Sequence, residues 1–192
     1  MARAKYVGKS GTELKGKTLG IHAVGNVGAN VARIAKGFDM KVLGFDPFLS
    51  KETIIANGAE PVETVEELYE RSDYLSIHIP ANAQTKQSIG KKLLLSMPRN
   101  ACLVNTARKE VIHEAELLEV FETRSDIRYA TDVGPAEEIA KVLRDKYGDR
   151  FFMTPKKIGA QTAEANANAG IAAAEQIVSF FEENNTRFIV NM

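Results

Sequence analysis

The sequence has no excess of charge in either direction: 25 lysines and arginines balance 25 aspartates and glutamates. Such a chain has no global field to gather nucleic acid or an anionic membrane, so partners must be recognised at local sites. The one basic cluster, MARAKYVGKSGTELKGK, sets Arg3, Lys5, Lys9, Lys15 and Lys17 against Glu13. It reads either as an arm for RNA or phospholipid or, with its Gly and Ser breakers, as a solvated lead-in; the second reading is preferred. Cysteine is almost missing. A single thiol, Cys102, excludes an intramolecular disulfide and suits a reducing compartment; inside the apolar run ACLVNTA it reads as a small buried hydrophobe. Long apolar runs are lacking as well. The longest uncharged stretch, which includes Leu19 to Ala32, is interrupted by asparagines and glycines and falls short of the roughly 20 residues that span a bilayer. The amino terminus has no apolar core of a signal peptide. The expectation is a cytoplasmic protein with no nucleic-acid, membrane or metal partner.

What is present points to a parallel sheet. At 192 residues the chain is long enough for one well-buried domain and short for two, and it shows no internal repeat or low-complexity tract. Short runs rich in Val, Ile, Leu and Phe, at 17–24, 41–46, 60–62, 73–80, 101–107, 128–133 and 150–155, predict strands. Between them GNVGANVARIAKGF, TVEELYERS, KEVIHEAELLEVFET and PAEEIAKVLRDKYG have helical spacing. Strands alternating with helices predict a doubly wound, Rossmann-type α/β fold with its active groups at the carboxyl ends of the strands. A last helix, TAEANANAGIAAAEQIVSFFEE, aligns Ala163, Ala167, Gly170, Ile171, Ala174, Ile177, Val178 and Phe181 on one stripe, which predicts packing against the core.

The segment LGIHAVGNVGANVA reads as strand, glycine-rich turn and helix, the context a dinucleotide fingerprint requires. Gly25 would let the backbone approach a pyrophosphate, and Gly28 would let the helix pack on the sheet. Ala23 stands where the first glycine belongs, at a cost set by the sign of its φ angle. The bland alternative is a tight turn. Asp46 supports the dinucleotide: it ends the next strand, 18 residues after Gly28, where a carboxylate accepts ribose hydroxyls. It would repel a 2′-phosphate, and PFLS after it supplies no arginine, so NAD is favoured over NADP. Arg108 directly follows ACLVNTA. From there it either clamps a substrate carboxylate with paired hydrogen bonds or caps the next helix at the surface.

In this order, ELKGKTLGI, GNVG, DMKVLGFDP, SIHIPANAQT, LVNTARKEVI and IGAQTAEA resemble the NAD-binding domain of the D-2-hydroxyacid dehydrogenases, most of all members acting on a phosphorylated hydroxy acid. The resemblance covers essentially the whole chain. It implies that Gly25, Asn26 and Val27 hold the pyrophosphate and Asp46, with Pro47 beside it, the adenosine ribose. His78, Ile79, Pro80, Thr85, Asn105, Thr106 and Ala107 would border the cofactor cleft, Asp132 would reach the nicotinamide amide, and Arg108 would bind the substrate's carboxylate and oxygen. Family members use a histidine after Thr-Pro as acid/base, oriented by a glutamate that the resemblance places at Glu137.

MTPKKIGAQT has no histidine and one residue too many. Counting forward from Thr154-Pro155 puts Lys156 at the histidine position; counting back from Ile158-Gly159-Ala160 puts Lys157 there. A lysine serves as acid/base only if its pKa falls from about 10.4 toward neutrality; the alternative is two exposed lysines and lost catalysis. The expected organisation is a lead-in over 1–16 from an absent substrate domain, an NAD-binding domain over 17–185 and a tail over 186–192. The expected activity is NAD-dependent oxidation of the hydroxy acid by a homodimeric parent enzyme. A glyoxylate or hydroxypyruvate reductase and a non-enzymatic dinucleotide sensor are the alternatives.

Overall fold

Each of the seven apolar runs forms a strand, and every pairing between them is parallel. The computed structural model describes residues 11–157, 159 and 161–189. The strands are β1 (Thr18–His22), β2 (Lys41–Phe45), β3 (Glu60–Pro61), β4 (Tyr74–Ile77), β5 (Cys102–Asn105), β6 (Arg128–Thr131) and β7 (Phe151–Met153), in the order β3-β2-β1-β4-β5-β6-β7. β1 pairs with β2 from Thr18–Lys41 to His22–Phe45 and with β4 from Leu19–Tyr74 to His22–Ile77.

Four predicted helical segments form α1 (Asn26–Gly37), α3 (Val65–Glu70), α5 (Glu114–Thr123) and α6 (Glu137–Tyr147). α5 is shorter than its pattern because Lys109–Val111 is a separate 3-10 turn, and His113 caps α5 by accepting the Glu116 N–H through Nδ1. The structure adds α2 (Lys51–Ala56) and α4 (Lys91–Ser96). Each is six residues long, under two turns, and a helix that short displays no periodic face in sequence. α2 is started by Ser50, whose hydroxyl accepts the Thr53 N–H.

Alternation along the strands divides the core between the two faces of the sheet. Leu19, Ile21 and Val42 pack with Ala32 and Ala35 of α1; Leu43, Leu75, Ile77, Leu103 and Tyr129 pack with residues of α3, α4 and α5. Cys102 opens β5 partly rather than fully buried, and that burial pushes its thiol pKa up.

The chain divides into two compact units, one ending at Pro155 and the other beginning at Lys156. The second contains α7 (Ala163–Glu183), started by Thr162, whose hydroxyl accepts the Ala165 N–H, and ended by Asn184 in the left-handed conformation. Here an expectation is corrected. α7 forms over the predicted residues, yet none of them is buried, and Ile177 and Phe181 are 60% and 76% exposed. Every member of the two core clusters precedes Pro155, and a unit of this length is below the roughly 40 residues that sustain a core alone.

Candidate functional site

Strand order reverses between β1, which continues to β2 on one side, and β4, which lies on the other. In an open parallel sheet a ligand crevice opens at such a point, beyond the carboxyl ends of the strands. The fingerprint residues, Asp46, His78–Pro80, Asn105–Arg108 and Asp132 lie at or just beyond the ends of β1, β2, β4, β5 and β6, so the fold brings them to one edge of the sheet.

The turn after β1 is built for close approach. Gly28 has no room for a side chain: an added Cβ would lie 2.3 Å from the Ala23 carbonyl oxygen and 3.0 Å from Ile21 Cγ2. Gly25 differs. Its φ of −70° suits any residue and a Cβ there would meet nothing within 4 Å, so the fold itself does not require glycine at this position and the backbone lies open to close approach. Gly25 caps α1 without a side-chain hydrogen bond, and the first turn holds no acidic residue. The helix therefore presents its amino-terminal N–H groups and positive dipole end to an incoming anion.

Ala23 settles the question of φ at +78°, in the left-handed region, where an L-residue costs about 1–2 kcal/mol. Its N–H is fixed by the Phe45 carbonyl at 2.9 Å, and Asn57 donates through Nδ2 to the Val24 carbonyl at 2.8 Å. Asn57 ends α2 and carries no sequence signal for this role. Ala23→Gly will raise stability by about 0.5–1 kcal/mol, the relief of strain less the entropy that glycine adds to the unfolded chain. Urea unfolding checks it; an unchanged midpoint would mean the turn imposes no strain.

Asp46 bridges the two strand ends. Its Oδ2 accepts the Val24 N–H and its Oδ1 the Phe48 N–H, both at 3.0 Å. A carboxylate has about four lone-pair sites, so the group is oriented by the loop and retains acceptor capacity for ribose hydroxyls. His78 receives a local tie at each end: its N–H donates to the His22 carbonyl at 2.9 Å and its Nε2 pairs with Ser76 Oγ at 2.9 Å. Burial lowers its pKa. Ile79 is buried and Pro80 exposed; the Thr85 hydroxyl donates to the Pro80 carbonyl at 2.5 Å and accepts the Asn82 N–H at 2.9 Å, closing the loop after β4.

Asn105 is wholly buried and its amide is committed to the chain itself. Oδ1 accepts the Ala107 N–H and Nδ2 donates to the Arg108 carbonyl, both at 3.0 Å, while its backbone carbonyl accepts the Thr131 hydroxyl at 2.7 Å. Asn105 thereby shapes the turn through Thr106 and Ala107 and ties it to β6. Arg108 emerges exposed at the carboxyl end of β5, with one guanidinium nitrogen on the Ala107 carbonyl at 2.8 Å. It is the cap residue of the 3-10 turn Lys109–Val111, without a side-chain capping hydrogen bond.

Asp132 follows β6, and its Oδ1 is buried with no hydrogen-bond partner among the described residues. An orphaned acceptor of this kind costs on the order of 1–3 kcal/mol and fits a group that receives an amide N–H from a ligand, as the nicotinamide amide would supply. With the uncapped α1 terminus, the open position at Gly25 and the oriented Asp46, the residues present fit NAD.

Three further residues expected in the catalytic machinery are exposed. Glu137 opens α6 with its side chain 80% exposed and paired to Arg144 at 2.5 Å. Lys156 and Lys157 are exposed and begin the second unit; Ile158 and Ala160, used to count back to Lys157, lie outside the described residues. Pro47 lies between Asp46 and Phe48 in the turn their hydrogen bond closes.

Comparison with known proteins bears on the family and the fold. Residues 2–156 match the family described as D-isomer specific 2-hydroxyacid dehydrogenase, NAD binding domain. The chain is 36% identical over 182 residues to D-3-phosphoglycerate dehydrogenase of Methanocaldococcus jannaschii, covering 95% of this chain and 34% of that protein. It is 37% identical to the hydroxypyruvate reductase of Thermotoga maritima, covering 87% of this chain and 54% of that one. The NAD+-bound 3-phosphoglycerate dehydrogenase of Entamoeba histolytica superposes with a TM-score of 0.84 at 43% identity, over 96% of this chain and 58% of that one. The chain thus spans only part of the length of its relatives, 34%, 33% and 30% of three of the curated phosphoglycerate dehydrogenases it matches. It belongs to the D-isomer specific 2-hydroxyacid dehydrogenase family, as the NAD-binding domain of that family.

Proposed function

We propose that this domain serves an NAD-dependent D-3-phosphoglycerate dehydrogenase, in which the C2 hydroxyl of the phosphorylated acid is oxidised. The observation that carries the reading is the row of strand ends on which the α1 terminus, Asp46, Arg108 and the orphaned Asp132 oxygen share one edge of the sheet. The α1 terminus holds the pyrophosphate, Asp46 the ribose, Asp132 the nicotinamide amide and Arg108 the substrate carboxylate. When bound, NAD supplies the hydride acceptor. Lys156 or Lys157 takes the hydroxyl proton, an assignment that rests on the resemblance. Glu137 is left out, since solvent and Arg144 already partner it and a lysine has no tautomer to fix. The same reading makes the protein a cytoplasmic homodimer.

Calorimetric titration of this chain tests the cofactor assignment. NAD will bind saturably, Asp46→Ala will weaken it about tenfold, near the value of one charge-assisted hydrogen bond, and NADP will bind more weakly still. Equal affinities for NAD and NADP, unchanged in the variant, would remove Asp46 from the site. In a longer protein carrying a substrate domain, alanine at the acid/base lysine will lower kcat by roughly a hundredfold with NAD affinity retained. Small, equal losses at both lysines would exclude each of them.

A further inference from the structure

The amino-terminal edge of the sheet, opposite the cofactor crevice, carries its own cavity. It measures about 550 Å³ and is bordered by the segments that enter β1, β4, β5, β6 and β7, including Lys17, Asp73, Arg99, Arg128 and Arg150. At about 3.3 Å per residue, five-residue strands set it on the order of 16 Å from the Ala23–Gly28 turn. Nothing in the proposed dehydrogenase chemistry uses it.

We propose that this cavity is an oxyanion site, taking the phosphoryl or carboxylate group of a small metabolite on Arg99, Arg128 and Lys17. Two independent features support it. The first is charge. Four cations line the cavity, Lys17, Arg99, Arg128 and Arg150, against three carboxylates, Asp73, Asp126 and Asp149. Asp126 is already neutralised from outside the cavity wall: Arg124 donates to it through Nε at 2.8 Å and Nη2 at 2.7 Å. With Asp126 set aside, the lining keeps an excess of positive charge, which favours an anion. Asp73 is directed to the backbone, where it accepts the Thr18 N–H at 2.8 Å. Arg150 is directed inward, to the Phe121 and Arg124 carbonyls and over the Phe121 and Tyr147 rings. Arg99 is exposed and engages none of the described carboxylates, so its fork remains available for a bidentate contact.

The second feature is rigidity. The turn that carries Arg99 is braced by a largely buried ion pair, Arg124 and Asp126, whose side chains are 18% and 17% exposed. Arg124 also donates to the Leu95, Met97 and Pro98 carbonyls at 3.2, 3.0 and 2.9 Å. Asp126 accepts the Asn100 N–H at 2.7 Å, and Asn100 itself holds a left-handed φ of +64°. From the cavity side Arg128 donates to the Asn100 carbonyl at 2.8 Å, using one nitrogen and leaving the rest of its fork for a ligand. So many charge-assisted bonds around one four-residue turn preorganise the cations, which lowers the ordering cost of binding.

The test follows backbone amide resonances of the isotope-labelled chain during titration with inorganic phosphate, with acetate, and with sodium chloride at matched ionic strength. Saturable shifts at Asn100, Ser125 and Arg128 with phosphate, weakened tenfold or more in Arg99→Ala and partly restored in Arg99→Lys, are expected. Stronger saturation by acetate than by phosphate would assign a carboxylate group instead of a phosphoryl one. Shifts confined to Gly25–Gly28, or linear shifts that chloride reproduces, would overturn the site.

Discussion

Asn105→Ala will cost about 3 kcal/mol of unfolding free energy and lower the melting temperature by roughly 6–12 °C. The residue is wholly buried, and its side chain meets one backbone donor and one backbone acceptor two and three residues ahead. Alanine withdraws both partners and leaves a void among packed groups, and each loss is worth on the order of 1–2 kcal/mol. The comparison is Arg108→Ala, at an exposed side chain, which should stay within about 0.5 kcal/mol of the parent. Equal effects of the two substitutions in urea unfolding would mean that Asn105 does not hold the turn. Function should fail with stability, because Asn105 sets the backbone from which Arg108 projects.

A second large effect belongs to acid. His22 lies at the end of β1 with its Nδ1 3.3 Å from the Tyr69 hydroxyl and its ring edge-on to Phe45 and Tyr69. Burial lowers its pKa to about 4, outweighing the opposing attraction of Asp46. Between that value and about 6.5 in the unfolded chain, the unfolded state binds the extra proton. The associated stability is therefore fully present above about pH 6.5 and is lost as pH falls toward 4, by about 3 kcal/mol at 1.36 kcal/mol per pKa unit. Burial lowers the pKa of His78 as well and adds in the same direction. His22→Gln should flatten this part of the stability profile. A variant whose slope between pH 7 and 4.5 matched the parent's would show that His22 takes up no proton on unfolding.

Much of the frame was legible before the structure, and the residues show why. The β-branched runs declared the strands because a parallel sheet buries both faces of each strand, and the spacing of Gly25, Gly28 and Asp46 is local enough to be read along the chain. Asn105 was read as a residue bordering the cofactor; its commitment to Ala107, Arg108 and Thr131 depends partly on a strand 26 residues away. Asn57 reaches Val24 across 33 residues, again without a pattern. The α7 stripe misleads because periodicity marks an apolar face without stating what covers it. φ at Ala23 could be posed as a question from sequence but answered only by the turn itself.

The order of the sheet also bears on how the chain is made. β1 becomes a central strand, and β2 and β3 are laid outward on one side before β4, β5, β6 and β7 are laid outward on the other. No later strand has to be inserted between two that are already paired. During synthesis from the amino terminus, each new strand finds its docking edge already displayed, so a sheet made only of non-local parallel pairings, intrinsically slow to form from the full-length unfolded chain, can be assembled one edge at a time as it emerges from the ribosome.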